Sequence, residues 1–367
     1  MHSNSSSGFR LCLDSLSSKF SLFALGIVIL PFSSLNAEKS HQYNTVVNTN
    51  VLTVVAVENP TTVFNDGKFL HGFGYDLARN YAQSLNVKLN FKTVPDNATA
   101  LKWVAQGKAN LAMTTANLDL IEKKHLVSFS ASCGDQASLS KNGLNSQLNW
   151  VFKQADDPLT LTASGFVCQS QQAGTTQQLA SFYNRNVVKP EAWPTIRKDL
   201  KQRLPIYKAS FKQSAAKYNL DWHLLAAIGY QESYLKSDSV SPTGVRGLMM
   251  LTNSTARAMG VSNRADPAQS IQGGAKYYDQ MLDQYADIPY PDRNWYALVA
   301  YNMGPGAVSQ IQKRIKTQGK DPNQWVNLYD YLQRNKAHNS RYTQALQYVT
   351  RIRTYLEHIQ TQSHIDI

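Results

Sequence analysis

The chain has 367 residues, 43% of them hydrophobic, with 37 Lys and Arg against 25 Asp and Glu, a formal charge of +12. The length leaves room for roughly two domains of about 150 residues each, and the hydrophobic share excludes a wholly disordered chain. The positive balance points to an acidic partner, which could be nucleic acid, an anionic membrane surface or an anionic polymer. The sequence carries no zinc-finger spacing, helix-turn-helix signature or dense basic run, which ranks nucleic acid last. It also has no HExxH pair or Cys/His cluster, so neither a catalytic metal nor another cofactor is expected.

Arg10 and Lys19 precede the apolar run FSLFALGIVILPF at 20–32, and the small residues of SSLNA, ending at Ala37, follow it. This is the pattern of a secretory signal peptide over residues 1–37. The run is shorter than the roughly 20 residues that span a bilayer, although an uncleaved anchor is a second use of it. Past the signal only Cys133 and Cys168 remain. An oxidising compartment pairs them as readily as a core buries them as two separate thiols.

From Leu52 the chain alternates strand and helix patterns. LTVVAV reads as a buried strand, YDLARNYAQSL as a helix, KLNFKTV as an alternating strand, ATALKWVAQG as a helix stopped at Gly107, and ANLAMTT as another strand. This is an α/β unit, assigned to residues 38–185. A Gln/Ser-rich stretch at 169–181 reads as a solvated connector. From 186 to 367 the periodicity is helical throughout, in short segments broken by Gly and Pro.

Within that helical half, Leu225, Ile228, Glu232 and Leu235 share one face of a helix that starts near Asp221. A carboxylate on an apolar face loses hydration, and its pKa rises toward the range where it donates a proton near neutrality. A rim residue bending out to solvent is the plain alternative. Against it stand the position in the last turn, where negative charge opposes the helix dipole, and the following turn SDSVSPTGVRG, which can cradle a ligand beside the carboxylate. Asp238 is the nearest other acid, and its Ser-rich surroundings suit a solvated turn.

Two resemblances follow from these stretches. GFGYDLARNYAQSLNV and GKANLAMTTANLDLIEKKHLVSFS resemble the first lobe of periplasmic solute-binding proteins of the amino-acid-binding type. Only a short Ser/Asn/Gly-rich stretch at about 131–148 separates that lobe from LNWVFKQADDPLTLTASGF, which is similar to the family's closing segment, so a reduced single lobe is expected. Where that family grips a ligand carboxylate with arginine, this chain has Lys123 or Lys124, and lysine lacks the bidentate fork.

The block QESYLKSDSVSPTGVRGLMMLTNSTARAMGV together with AYNMGPGAV resembles the soluble-lytic-transglycosylase catalytic domain, a lysozyme-like helical fold. The resemblance implies cleavage of the β-1,4 bond between N-acetylmuramic acid and N-acetylglucosamine in peptidoglycan strands, leaving 1,6-anhydro ends, with Glu232 as the catalytic acid. It further implies sugar subsites lined by Ser241, Met249, Met250, Tyr301 and Asn302, with Tyr348 closing one side. Core packing serves Met249 and Met250 equally well, and Asn302 also suits a turn cap. Many relatives place glutamine where Met250 stands. An acidic residue common upstream of the position of Tyr348 is replaced by Gln344 and Gln347.

The whole is expected to be an α/β lobe followed by an all-α lysozyme-like domain, periplasmic, peripheral on the outer membrane, acting on peptidoglycan without nucleic acid. Two alternatives are a muramidase that hydrolyses the same bond with water and a non-catalytic glycan-binding sensor.

Overall fold

The computed structural model describes residues 41–65 and 67–363, so the expected signal peptide at 1–37 lies outside the described residues. The first half comprises α1 (Gln42–Thr49), β1 (Val51–Val57), the short β2 (Phe64–Asn65) and β3 (Leu70–His71), α2 (Phe73–Ser84), β4 (Lys88–Val94), α3 (Asn97–Ala105), β5 (Leu111–Thr114), α4 (Leu118–Glu122), β6 (Val127–Ser130), α5 (Gln136–Lys141), β7 (Asn149–Phe152), α6 (Pro158–Gln172) and α7 (Thr175–Phe182). Five of the strands form one sheet in the order β4-β1-β5-β7-β6. β1 pairs in parallel with β4 and β5, whereas β7 runs antiparallel to both β5 and β6. Side chains of a strand alternate between faces. Leu52, Val54 and Ala56 of β1 accordingly join the large core, and Val55 joins a smaller one with Leu101, Val104 and Ala112 beneath α3.

The second half is helical: α8 (Trp193–Lys217), α9 (Trp222–Ser233), α10 (Asn253–Met259), α11 (Pro267–Gln284), α12 (Asp292–Met303), α13 (Pro305–Thr317), α14 (Trp325–Asn335) and α15 (Ser340–Ser363). The fold is thus the expected α/β lobe followed by an all-α domain. Helix α9 is buried at every position from Leu224 to Tyr230, which marks a central helix rather than a surface one. It packs against both α8 and α15. Asp221 caps its start by accepting the amide of His223 at 2.7 Å.

The stretch expected as a solvated connector at 169–181 is instead the end of α6 and α7 up to its last residue, with Leu179 and Ala180 buried and Phe182 buried directly after it. Phe182 meets Trp295, Trp325 and Tyr329 edge-on at 5.1 to 5.5 Å. Its polar composition hid a helix whose few apolar residues all face one side. Cys133 and Cys168 are joined as a disulfide with Cα atoms 5.0 Å apart, which resolves the two readings of these residues in favour of a bridge. It ties the segment before α5 to α6.

Charge also joins the two halves. Arg79 of α2 lies 2.8 Å from Asp292 at the start of α12 and 3.3 Å from Asp76. Asp76 accepts the Tyr183 hydroxyl at 2.7 Å, and Asp292 accepts the amide of Trp325 at 3.0 Å. Both carboxylates are nearly excluded from solvent, so each depends on the guanidinium. Replacing one member of such a buried pair leaves an uncompensated charge, at a cost of about 3–5 kcal/mol. Arg79→Met is expected to lower the urea stability of the whole chain by this amount. An unchanged unfolding midpoint would show that the junction carries no stability.

Candidate active site

Glu232 sits in the last turn of α9, where the chain leaves the helix through two consecutive left-handed residues, Tyr234 (φ 54°) and Leu235 (φ 56°). Leu235 therefore falls beyond the helix and not on its face, although it is buried as the periodicity required. Such backbone in non-glycine residues needs support from its surroundings. Ser233 supplies part of it, donating from Oγ to the carbonyl of Leu248 at 2.8 Å, so the loop after the acid is pinned to the helix that carries it. Gly247 lets this loop close on itself: its φ is 87°, and a Cβ there would stand 1.9 Å from the carbonyl oxygen of Arg264.

The carboxyl of Glu232 is half-buried in a pocket of tyrosines. Tyr348 of α15 donates its hydroxyl to Oε1 at 2.6 Å, and Tyr301 of α12 lies parallel to Tyr348 with ring centroids 6.4 Å apart. Tyr277 of α11 packs against Tyr301 at 5.1 Å. Loss of water pushes the Glu232 carboxyl up to about 7, against the opposing effect of the Tyr348 hydrogen bond. Tyr301 and Tyr348 are themselves raised well above the usual phenol range, by burial first and by the nearby Glu232 second. They remain neutral donors while the acid titrates. Asp238, the rival acid, is exposed on the following turn.

The other expected site residues divide by position. Met249 is a correction: its side chain is fully buried and lies so close to α11 that a Cβ on Gly274 would stand 2.7 Å from it. It offers the site its backbone carbonyl, which accepts the Tyr301 hydroxyl at 3.2 Å, while its amide donates to Ser270 Oγ at 3.0 Å. Met250 is partly exposed in a left-handed conformation (φ 48°). Ser241 accepts the amide of Val245 at 3.0 Å and closes the turn. Asn302 is exposed at the end of α12. Sequence reasoning missed Ser233 and Ser270, whose signal was a small polar residue inside an otherwise buried helical stretch.

A separate cavity of about 600 Å³ opens at the carboxyl ends of β1 and β5, lined in part by Asn59, Thr61, Asn97, Thr115, Asn145 and Arg185. Such strand ends are where open α/β sheets hold ligands. Here Arg185 is engaged with Glu357 of α15 at 2.5 Å.

One carboxyl held by a phenol at the end of a central buried helix, in an all-α domain, is the arrangement of a site that works with a single acid. A family model described as the transglycosylase SLT domain matches residues 209–324. The chain is 32% identical over 405 aligned positions to membrane-bound lytic murein transglycosylase F of Stutzerimonas stutzeri (strain A1501), covering 85% of this chain and 83% of the relative. Seven further relatives of the same description are matched over 38% to 48% of their own length. Among solved structures, the lytic transglycosylase Slt of Pseudomonas aeruginosa aligns at 22% identity over 56% of this chain and 30% of that one, with a TM-score of 0.36. Domain 1 of an arginine-binding protein aligns at 16% identity over 35% of this chain and 98% of that one, with a TM-score of 0.29. The chain belongs to the membrane-bound lytic murein transglycosylase F family. It is a peptidoglycan lytic transglycosylase of the cell envelope.

The raised pKa has a measurable consequence for stability. The folded protein keeps the Glu232 proton up to about pH 7, whereas an unfolded glutamate releases it near 4.3. The native state binds more protons across that window, so stability falls as pH rises through it and levels off above. Glu232→Gln has no such proton. It is expected to exceed the wild type in urea stability by about 2 kcal/mol at pH 8, after allowance for partial exposure, with the advantage gone near pH 4. A difference that is constant with pH would mean that the carboxyl is solvated.

Tyr348→Phe removes the donor that favours the ionised acid. The alkaline limb of the kcat/KM profile is expected to move up by about one unit. A limb that stays in place would show that the hydrogen bond is not made in solution.

Proposed function

We propose that Glu232 performs both proton transfers of the cleavage. As a neutral acid it protonates the glycosidic oxygen while the bond from that oxygen to C1 of the muramic residue breaks. The N-acetyl group of that sugar stabilises the cation developing at C1. The resulting carboxylate then removes the proton of the C6 hydroxyl, whose oxygen bonds to C1 and closes the 1,6-anhydro ring. Ordinary glycosidases divide such work between two carboxylates. Here the substrate's own hydroxyl replaces the second, and its high effective concentration favours ring closure over attack by water. The observation that carries this reading is the Glu232 carboxyl poised at about 7, with Tyr348 bonded to one oxygen.

In the same reading Ser241, Met250, Tyr301 and Asn302 border the sugar subsites, and residues 38–185 form a bracing lobe joined at 185/186 to the catalytic domain. The enzyme works in the periplasm, peripheral on the outer membrane. Support comes from the Cys133–Cys168 bridge, which suits an oxidising compartment, and from the charge of +12, which suits anionic surfaces.

The decisive experiment is release of anhydro-muropeptides from purified sacculi. Glu232→Gln removes acid and base together, and general acid–base catalysis is worth on the order of 10² to 10⁴, so a loss at or above the upper end is expected from a folded protein. Asp238→Asn is expected to retain most activity. A folded Glu232→Gln that still forms anhydro ends at near wild-type rate would refute the assignment. Reducing ends in place of anhydro ends would mean that water is the nucleophile.

A further inference from the structure

Away from the acid, α8 carries seven Lys and Arg against a single carboxylate, Asp199. Arg203 neutralises that carboxylate at 2.8 Å. The remaining charge is not spread evenly. Arg197, Lys201 and Lys208 fall four and seven residues apart, which places them along one side of the helix, and they line a groove of about 450 Å³ floored by Leu204 and Trp222 and closed by His358 of α15. All three are exposed. No acidic side chain lines this groove among the described residues.

Trp222 organises part of the wall. The ammonium groups of Lys208 and Lys212 stand 5.4 and 5.5 Å from its ring centroid, an attraction that holds two like charges side by side. A second cavity of about 500 Å³ shares Arg197 and His358 with the first but is also lined by Glu58 and Glu357, so the lining without acids is that of the first groove alone. Trp222 opens α9, and Glu232 lies in its last turn, ten residues later. The groove therefore lies about 15 Å along the helix axis from the catalytic acid, and it is a place apart from the active site.

We propose that this groove binds the carboxylates of peptidoglycan stem peptides, holding the sacculus while Glu232 works on a glycan strand. The inference rests on the reading of the chain as acting on peptidoglycan, whose stems present several free carboxylates along an extended polymer. Charge complementarity selects an anionic occupant, and concavity selects a chain-like one. A bilayer presents its phosphates on a plane and engages projecting side chains, whereas these cations line the walls of a trough.

The test is co-sedimentation with purified sacculi in a Glu232→Gln background, so that the polymer is not consumed. Arg197→Gln, Lys201→Gln and Lys208→Gln combined are expected to weaken retention about tenfold or more, as the loss of three exposed ion pairs implies, and to flatten its dependence on salt. Sacculi whose carboxylates have been amidated with carbodiimide should hold the unsubstituted groove no better than native sacculi hold the triple variant. This arm needs no substitution in the groove, and where the triple variant melts early its reference is retention of the unsubstituted protein on native sacculi, against which a drop of about tenfold is expected. With Glu232 intact, the triple variant should cleave a short soluble muroglycan at the unsubstituted rate.

Unchanged retention of the folded triple variant would overturn the proposal, as would full retention on amidated sacculi. Loss of binding to phosphatidylglycerol vesicles with sacculus binding preserved would overturn it in favour of a membrane surface. The catalytic reading is judged separately, from product in the supernatant, so the failure of either is distinguishable from that of the other.

Discussion

Removing the Glu232 carboxyl from water raises its pKa to about 7, and the catalytic half is built to maintain that removal. The acid lies at the C-terminal end of a helix, where the dipole adds to the penalty on its charge. It is closed in by phenols that remain neutral throughout its titration. One hydrogen bond, from Tyr348, moderates the effect. The balance of these forces leaves a group able to give a proton and take one back near neutral pH, which chemistry with a single carboxyl group requires.

Holding a carboxyl against a stack of three tyrosines requires the four helices that supply acid and rings to keep their register. Helix α9 brings the acid, α15 brings Tyr348, α12 brings Tyr301 and α11 brings Tyr277. The α/β lobe contributes to this support. Phe182 enters the aromatic cluster of α12 and α14, Arg79 pairs with the first residue of α12, and Arg185 pairs with α15 through Glu357. Two of the helices that carry active-site tyrosines are thus gripped from the lobe, by one continuous core and two ion pairs. The arginine that borders the cavity at the strand ends is used in that grip.

The charge of the chain is organised as well. Much of the positive balance is concentrated on α8, and its basic groove meets α9 at Trp222, the opposite end of that helix from the acid. A polymer as large as the sacculus offers many anionic groups at once, and several weak exposed pairs then sum into useful retention without occupying the catalytic cleft. Adhesion at such a groove, if separate from cleavage as proposed, lets product leave the acid while the enzyme stays on its substrate.

The order of elements and the burial of Glu232 at the end of α9 were both legible in the sequence. Strands with alternating or continuous apolar runs and helices with apolar faces declare themselves within ten or so residues, and a glutamate on the buried face of α9 stands out against its neighbours. Asp221 at the cap was legible for the same local reason. What the acid meets was not: Tyr348 is 116 residues away, and periodicity says which face is buried without saying against what. Met249 shows the same limit, since a methionine in a motif reads alike whether it lines a groove or packs behind it, and only the approach of Gly274 decided. Composition misled at α7, where glutamines and serines concealed the face that carries Phe182. The bridge between Cys133 and Cys168 and the groove along α8 were likewise decided by tertiary structure, because both arise where segments distant in the chain are brought side by side.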